Sequence, residues 1–217
     1  MLKATGNVTV INDEADILLD ANGTVEGNNV TLTAEKNIIN NNDIKATEQA
    51  ALLARKGYIE NNDTIQAELN VDMDATEGDV YNYAGITSVS SSVDILAGGD
   101  IVNVGDTESD AISAKGAVVL AAGDMLLNTA KITSSDSNVN IKAGNAVYNI
   151  VDGDQHEPAN SNSNQDGSIN AGGNVIIETI NPAASDFRGV FNSANIVATG
   201  NVLLTSEDDL THTGTVD

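Results

Sequence analysis

The side chains able to do acid–base or metal chemistry in this chain are almost all carboxylates. There are 32 Asp plus Glu against 9 Lys plus Arg, two histidines and no cysteine, for a formal charge of −23. The histidines, His156 and His212, lie far apart, and neither has a matched partner at any recurring spacing. Thiolate nucleophiles, disulfides and Cys-rich zinc sites are excluded outright. One stretch has the alternation of a calcium loop: Asn162-x-Asn164-x-Asp166-Gly167-x-Ile169 follows the first eight places of an EF-hand-type loop, where oxygen side chains alternate and Gly permits the turn. Its twelfth place is Gly173 rather than the bidentate Glu. No resident cofactor is expected, and calcium held weakly by Asn162, Asn164 and Asp166 is the one cation the sequence offers; a Ser/Asn-rich turn entering a strand explains the same residues. A second grouping, Phe187, Arg188 and Phe191, gathers both Phe residues around a cation, which is the composition of a partner-binding patch or of rings folded over a bend.

Charge and composition narrow the classes further. A strongly acidic chain repels phosphate backbones, so no nucleic acid is expected as a partner. No apolar run approaches the roughly 18 residues of a membrane helix, and none inserts into a bilayer on this reading. Met1-Leu2-Lys3 opens no signal-peptide h-region, which places any export signal outside this segment. The apolar 41% is nearly all Val, Ile, Leu and Ala, with two Phe, four Tyr and no Trp, while Asn occurs 28 times. A core without large rings is a narrow core.

A repeat accounts for that composition. The pattern is clearest as Val93-Asp94-Ile95-Leu96-Ala97-Gly98-Gly99-Asp100-Ile101-Val102-Asn103. Gly57, Gly78 and Gly99 stand 21 residues apart, with Lys36 and Ala15 at the same corner upstream and Gly123 and Gly144 downstream after a step of 24. Asn40, Asn61, Asn82 and Asn103 keep the 21-residue register, and Asn128 and Asn149 continue it one place later. Ile38, Ile59, Val80 and Ile101 form a second series; Ile44, Ile65 and Ile86 form a third, which recurs less regularly as Ile112, Ile132, Ile169 and Ile196. Each unit reads as three short runs of period two, separated by Gly, Asn, Asp or Ala-x-Gly corners, with no sustained helical period.

Such a coil cannot bury its apolar face alone. Stacked on its equivalents, each strand pairs with the strand above and below around one continuous core. The expected fold is all-β: a right-handed parallel β-helix of about nine three-stranded coils of ~21 residues, on the order of 40–45 Å long at the usual strand spacing. The Asn series is expected to form a ladder, each amide donating and accepting along the stack at a tight corner. The whole of residues 1–217 reads as one β-helix segment cut from a longer repeat protein, interrupted at 104–111, 151–166 and 181–192. Insertions in a solenoid emerge as loops, so contacts are expected there.

Other readings fail on spacing. Ala97-Gly98-Gly99-Asp100 turns from strand to strand and offers no helix N-terminus to a phosphate. Thr31-Leu32-Thr33 has no in-register continuation into a flat Thr face through Arg55, Met73 and Leu96. The Gly-Gly-x-Gly-x-Asp calcium nonapeptide does not iterate.

The words Ile95-Leu96-Ala97-Gly98-Gly99-Asp100-Ile101, Ala114-Lys115-Gly116-Ala117-Val118-Val119-Leu120-Ala121-Ala122-Gly123-Asp124 and Ala171-Gly172-Gly173-Asn174-Val175 resemble the haemagglutinin repeats of filamentous-haemagglutinin-like adhesins. The resemblance covers nearly the whole chain. It implies a secreted bacterial cell-surface protein exported by two-partner secretion through an outer-membrane transporter, with flanking β-helix coils and a host-cell or bacterial receptor or glycan as partners. On it the segment is a structural and adhesive shaft, not an enzyme, projecting a binding or toxic tip. The alternative is a carbohydrate-active β-helix enzyme of the polysaccharide lyase or hydrolase kind, which needs carboxylates and a cation converging on one sheet.

Overall fold

The computed structural model describes residues 1–21, 23–105, 111–151, 167–180 and 188–217. Among them every regular element is a strand, and the strands fall into three parallel sheets of nine. The first sheet runs from Leu2–Lys3 to Ile196–Ala198, the second from Val8–Asn12 to Val202–Thr205, and the third from Ile17–Leu19 to Asp209–His212. One coil shows the plan: Ile65–Ala67, Val71–Ala75 and Val80–Asn82 take the chain once round, and each strand pairs with its equivalent in the coils before and after. The chain is a β-solenoid of about nine turns of about 21 residues, as the period requires.

Alternation decides which side chains enter the lumen. Val71, Met73 and Ala75 are buried while Asp72 and Asp74 between them face outward, and Ile65 and Ala67 bracket the exposed Gln66. Stacked in register these become rows of like residues, such as Leu32, Leu52, Met73, Ile95, Leu120, Ile141 and Ile177. Together they form one apolar column from Val8 to Ile196. Each fully buried Val, Leu or Ile contributes about 1.5–3 kcal/mol, so the column rather than any single coil holds the rod together. The second sheet ends its inward row in alanine (Ala34, Ala54, Ala75, Ala97, Ala122, Ala143), where the chain turns into the third sheet.

The corners belong to the stack as much as the strands do. Backbone bonds run through them from coil to coil, as in Thr76 N–H to Ala54 O at 2.9 Å and Gly98 N–H to Ala75 O at 2.9 Å. This close approach is what demands glycine: a Cβ on Gly78 would stand 2.6 Å from the Gly57 carbonyl carbon. Gly189 alone among the described glycines has a positive φ, 119°.

Two registers differ from the sequence expectation. Gly123 stacks over Gly98, not Gly99: its N–H bonds Ala97 O at 2.9 Å, and Asp124 N–H bonds Gly99 O at 3.1 Å. The step across this interruption is therefore 25 residues, and Asn128 falls directly over Asn103 with no offset. The interruptions are also narrower than expected. Val104 N–H still bonds Asn82 O at 2.9 Å, and Ala111 O still accepts from Ile86 N–H at 3.1 Å. Gly189–Asn192, the last part of the expected interruption 181–192, is a strand of the third sheet paired with Ala146–Asn149.

Candidate functional site

The most elaborate polar arrangement in the described residues is inside the rod. Asn40, Asn61, Asn82, Asn103, Asn128, Asn149 and Asn192 close successive strands of the third sheet with their side chains inward, and all are buried. Each Nδ2 donates to the next Oδ1, at 2.7, 2.8, 2.8, 2.6, 2.7 and 2.6 Å in chain order. Asn82, Asn128 and Asn192 give their second hydrogen to the carbonyl two residues on, Ala84, Ala130 and Ala194, at 2.8, 2.9 and 2.8 Å. A buried amide is tolerated only when its groups are matched, and here the match is with the same residue one coil away. The ladder sits at inward strand ends, not on the tight corner itself.

Two features of the ladder escape a reading of the sequence. Asn192 continues it from Asn149 across 43 residues, and the preceding Gly189–Val190–Phe191 keeps the same phase as Ala146–Val147–Tyr148. His212 takes the next place in the row: its Nδ1 lies 2.8 Å from Asn192 Nδ2, at a separation of 20 residues. The expectation that neither histidine has a partner at coil spacing is thus corrected for His212, because the partner is an asparagine and not another histidine.

Outside the core, two further rows of side-chain oxygens take up corner amides. Before the second sheet, Asn7 Oδ1 accepts from Asn29 N–H at 3.3 Å, and Asn138 and Asn174 accept from Asn174 N–H and Asn201 N–H, both at 2.7 Å. Before the third, Asp16, Asn37, Asp79 and Asp100 accept from Asn37, Tyr58, Asp100 and Met125 N–H at 3.0, 3.0, 2.8 and 2.9 Å. Much of the asparagine and part of the aspartate of this chain therefore serves coil-to-coil bonding.

The outward row of the third sheet changes character along the rod. Leu18, Ile39, Glu60 and Tyr81 give way to Val102, Leu127, Tyr148 and Phe191. Leu127, Tyr148 and Phe191 are buried in a second, smaller apolar cluster with Ala146 and Ile150. The Tyr148 and Phe191 rings stack with centroids 5.0 Å apart and an interplanar angle of 8°. Phe191 is thus a strand residue with a covered ring. Arg188 stands just before that strand, 3.6 Å from Asp208. Phe187 lies outside the described residues, as do Asn162, Asn164 and Asp166 of the calcium-like loop and His156.

The charged groups of the outer surface pair locally. Arg55 reaches Asp13 at 2.8 Å and Glu35 at 3.7 Å, and Lys56 reaches Glu35 at 2.6 Å. The Lys56 bond holds the Glu35 carboxyl below the usual carboxylate range. A groove of about 700 Å³ runs along the first sheet between the row Lys3, Glu26, Lys45 and the row Asn28, Thr47, Glu68. Lys3 pairs with Glu26, and Lys45 with Asp43 at 3.2 Å. Where carboxylates stack without cations their protons are held more tightly: burial, then the neighbouring Asp72, raises Asp94, and burial likewise raises Asp100. Tyr81, whose hydroxyl donates to Asp79 at 2.8 Å, is pushed up to about 12 by that bond and by burial. Among the described residues no group of three or more His, Asp or Glu is placed to hold a metal ion, and no helix is long and apolar enough to cross a membrane.

No protein-family model, curated protein or solved structure matches the chain.

Proposed function

We propose that the chain is a structural and adhesive shaft segment of a secreted bacterial surface adhesin, the role implied by its resemblance to haemagglutinin-repeat proteins. The observation that carries the proposal is the continuity of the core: nine coils share one apolar column, with a buried amide ladder along seven of them. A rod so joined transmits position from one end to the other, and a binding or toxic tip would be held at a distance by it. Its outward carboxylates keep parallel rods from pairing side by side. Surface receptors or glycans of host or bacterial cells would be met through the interruptions, flanking coils would extend the rod, and an outer-membrane transporter would pass the unfolded, cysteine-free chain.

The enzyme alternative needs carboxylates and a cation converging over a cleft. Among the described residues the groove of the first sheet, lined by Lys3, Glu26, Lys45 and Glu68, is the arrangement of this kind, and there Lys3 is paired with Glu26 and Lys45 with Asp43. The proposal is tested by binding of the purified segment to cells and glycan arrays, alone and with residues 152–166 or 181–187 removed. Loss of binding on a folded rod moves adhesion onto that loop; release of reducing ends from a polysaccharide overturns the shaft reading.

A further inference from the structure

Three of the four tyrosines gather on one outward face of the third sheet, in the middle of the rod. Alternation turns Ile59, Asn61, Val80 and Asn82 inward, so Tyr58, Glu60 and Asn62 face out in one coil and Asp79, Tyr81 and Tyr83 in the next. Asp100 and Val102 hold the corresponding places one coil further on. The Tyr58 and Tyr81 rings meet edge to face, with centroids 6.0 Å apart and an interplanar angle of 74°. The Tyr81 hydroxyl donates to Asp79 at 2.8 Å, which fixes that ring between its neighbour and a carboxylate. Tyr83 is 44% exposed, and burial, then the nearby Glu60, holds its phenol proton more tightly than usual.

The charge on this face is all of one sign. Its outward positions from Asn37 to Val102 include Glu60, Asp79 and Asp100 and neither Lys nor Arg. Lys36, Arg55 and Lys56 stand on the preceding corner, where Arg55 bonds Asp13 and Lys56 bonds Glu35. Burial raises the Asp100 carboxyl, the Met125 N–H opposes it, and Asp124 and Asp79 raise it further, which is the mark of negative charge without a counter-charge. Ring faces and carboxylates attract the same kind of group, a cation. A neutral sugar would leave that charge uncompensated, and a phosphate-bearing ligand is repelled by it. A metal ion finds no group of three ligands among the described residues. A guanidinium fits both features, since its plane stacks on an exposed ring while its N–H fork meets a carboxylate. Glu60 and Asp100 lie two coils apart, separated by at least about 9 Å of rod, which two side chains of one polypeptide can span and a single small cation cannot.

We propose that this face, Tyr58, Tyr81 and Tyr83 with Glu60, Asp79 and Asp100, is a docking surface for an arginine-bearing segment of a partner protein. It rests on the adhesive reading for the existence of such a partner, but binding to the face is measured without cells. The test is an NMR titration of the full chain with an alternating Gly-Arg octapeptide at about 150 mM salt, where remote charges are screened. Saturable shifts centred on Tyr58, Tyr81 and Tyr83 are expected, with weaker binding of the Gly-Lys counterpart. Tyr83→Ala is expected to weaken binding about 2- to 30-fold, while Tyr83→Phe keeps the ring and the affinity. Glu60→Gln is expected to weaken it at least about 3-fold, and Asp74→Asn, which removes an outward carboxylate of the second sheet, to leave it unchanged. No saturable binding, equal binding of the Gly-Lys peptide, equal losses in Glu60→Gln and Asp74→Asn, or a neutral cello-oligosaccharide taking the tyrosines in place of the peptide overturns the proposal. Cell binding that persists when the peptide fails removes this face and leaves the shaft reading standing; peptide binding by a segment that binds no cells does the reverse.

Discussion

Replacing Asn82 by alanine tests the claim that the ladder is a structural element and not a row of interchangeable polar residues. Asn82 accepts from Asn61 at 2.8 Å and donates to Asn103 and to Ala84 O, each at 2.8 Å. The substitution leaves the Asn61 Nδ2 hydrogen and the Asn103 Oδ1 lone pair without partners in a dry core, since both residues are 0% exposed. An orphaned buried donor or acceptor costs about 1–3 kcal/mol, so Asn82→Ala should destabilise by about 2–6 kcal/mol, a large share of an ordinary domain's margin. The comparison is Asn62→Ala on the neighbouring outward position, whose amide bonds Asn41 and Glu60 at the surface; it should stay within about 0.5 kcal/mol of wild type. Denaturant unfolding reads both, with hydrogen exchange of the coils on either side to detect local opening of a repeat array. The double variant Asn82→Ala/Asn103→Ala sharpens the test. The two single changes both break the Asn82–Asn103 bond, so together they should cost at least about 1 kcal/mol less than their sum. An Asn82→Ala effect no larger than that of Asn62→Ala, or strict additivity in the double variant, refutes the reasoning.

Other expectations follow from the same geometry. Gly78→Ala pushes a methyl group into the Gly57 peptide and should cost about 1–3 kcal/mol, whereas Gly6→Ala, with nothing within 4 Å, should be neutral or slightly stabilising; thermal melting separates them. Phe191→Ala should lower the melting temperature by removing about 3 kcal/mol of packing, with a coupling of about 0.5–1.5 kcal/mol to Tyr148 in a double-mutant cycle; an unchanged melting temperature would mean that the ring is not part of the fold. The Asp94 carboxyl has a folded-state pKa raised above its unfolded value, so its favourable contribution is present below about pH 4 and is lost as pH rises through the raised value. Asp94→Asn should therefore stabilise at pH 7, with the gain vanishing on acidification. Asp43 is lowered by its Thr64 and Lys45 bonds and behaves oppositely: Asp43→Asn should destabilise at pH 7, and the difference should close as pH falls through the lowered value.

The fold was legible because two periods act at once on the same residues. Alternation within a run sets which side chains enter the lumen, and the 21-residue repeat sets which of them meet; Ile44, Ile65 and Ile86 obey both and pair as read. The ladder was legible only while the period was regular. Asn40 to Asn103 could be counted off, but two interruptions separate Asn149 from Asn192, and residue counting cannot cross an insertion of unknown length. The signal that does cross it is phase: Tyr148-Asn149 and Phe191-Asn192 both set a ring outward and an amide inward. Read that way, Phe191 belongs to a strand, while composition alone grouped it with Arg188 and Phe187. The corner rows were hidden for a different reason. What recurs there is an acceptor oxygen, supplied by Asn7, Asn29, Asn138 and Asn174 in one row and by Asp16, Asn37, Asp79 and Asp100 in the other, so a search for identical residues passes over it.

The inside and outside of the rod obey different rules, and the contrast bears on what the surface can recognise. Inward rows repeat because stacking requires it: asparagine holds one position for seven coils, and alanine holds another from Ala34 to Ala143. Among the described strands no residue type holds an outward row for more than two successive coils; Thr9 with Thr31 and Asp72 with Asp94 are as long as such runs become. A ligand with its own lattice, such as ice or another β-sheet edge, is bound by an outward row that repeats at the strand spacing. A surface whose rows change at nearly every coil offers such a ligand no register. What it can offer is solvation along its length and a local contact wherever several unlike side chains meet. One place where that happens among the described residues is the groove beside Lys3 and Lys45. A search for adhesive contacts should begin there and at the interruptions beside the third sheet, since a contact of this kind depends on one set of side chains and would be lost with a single coil.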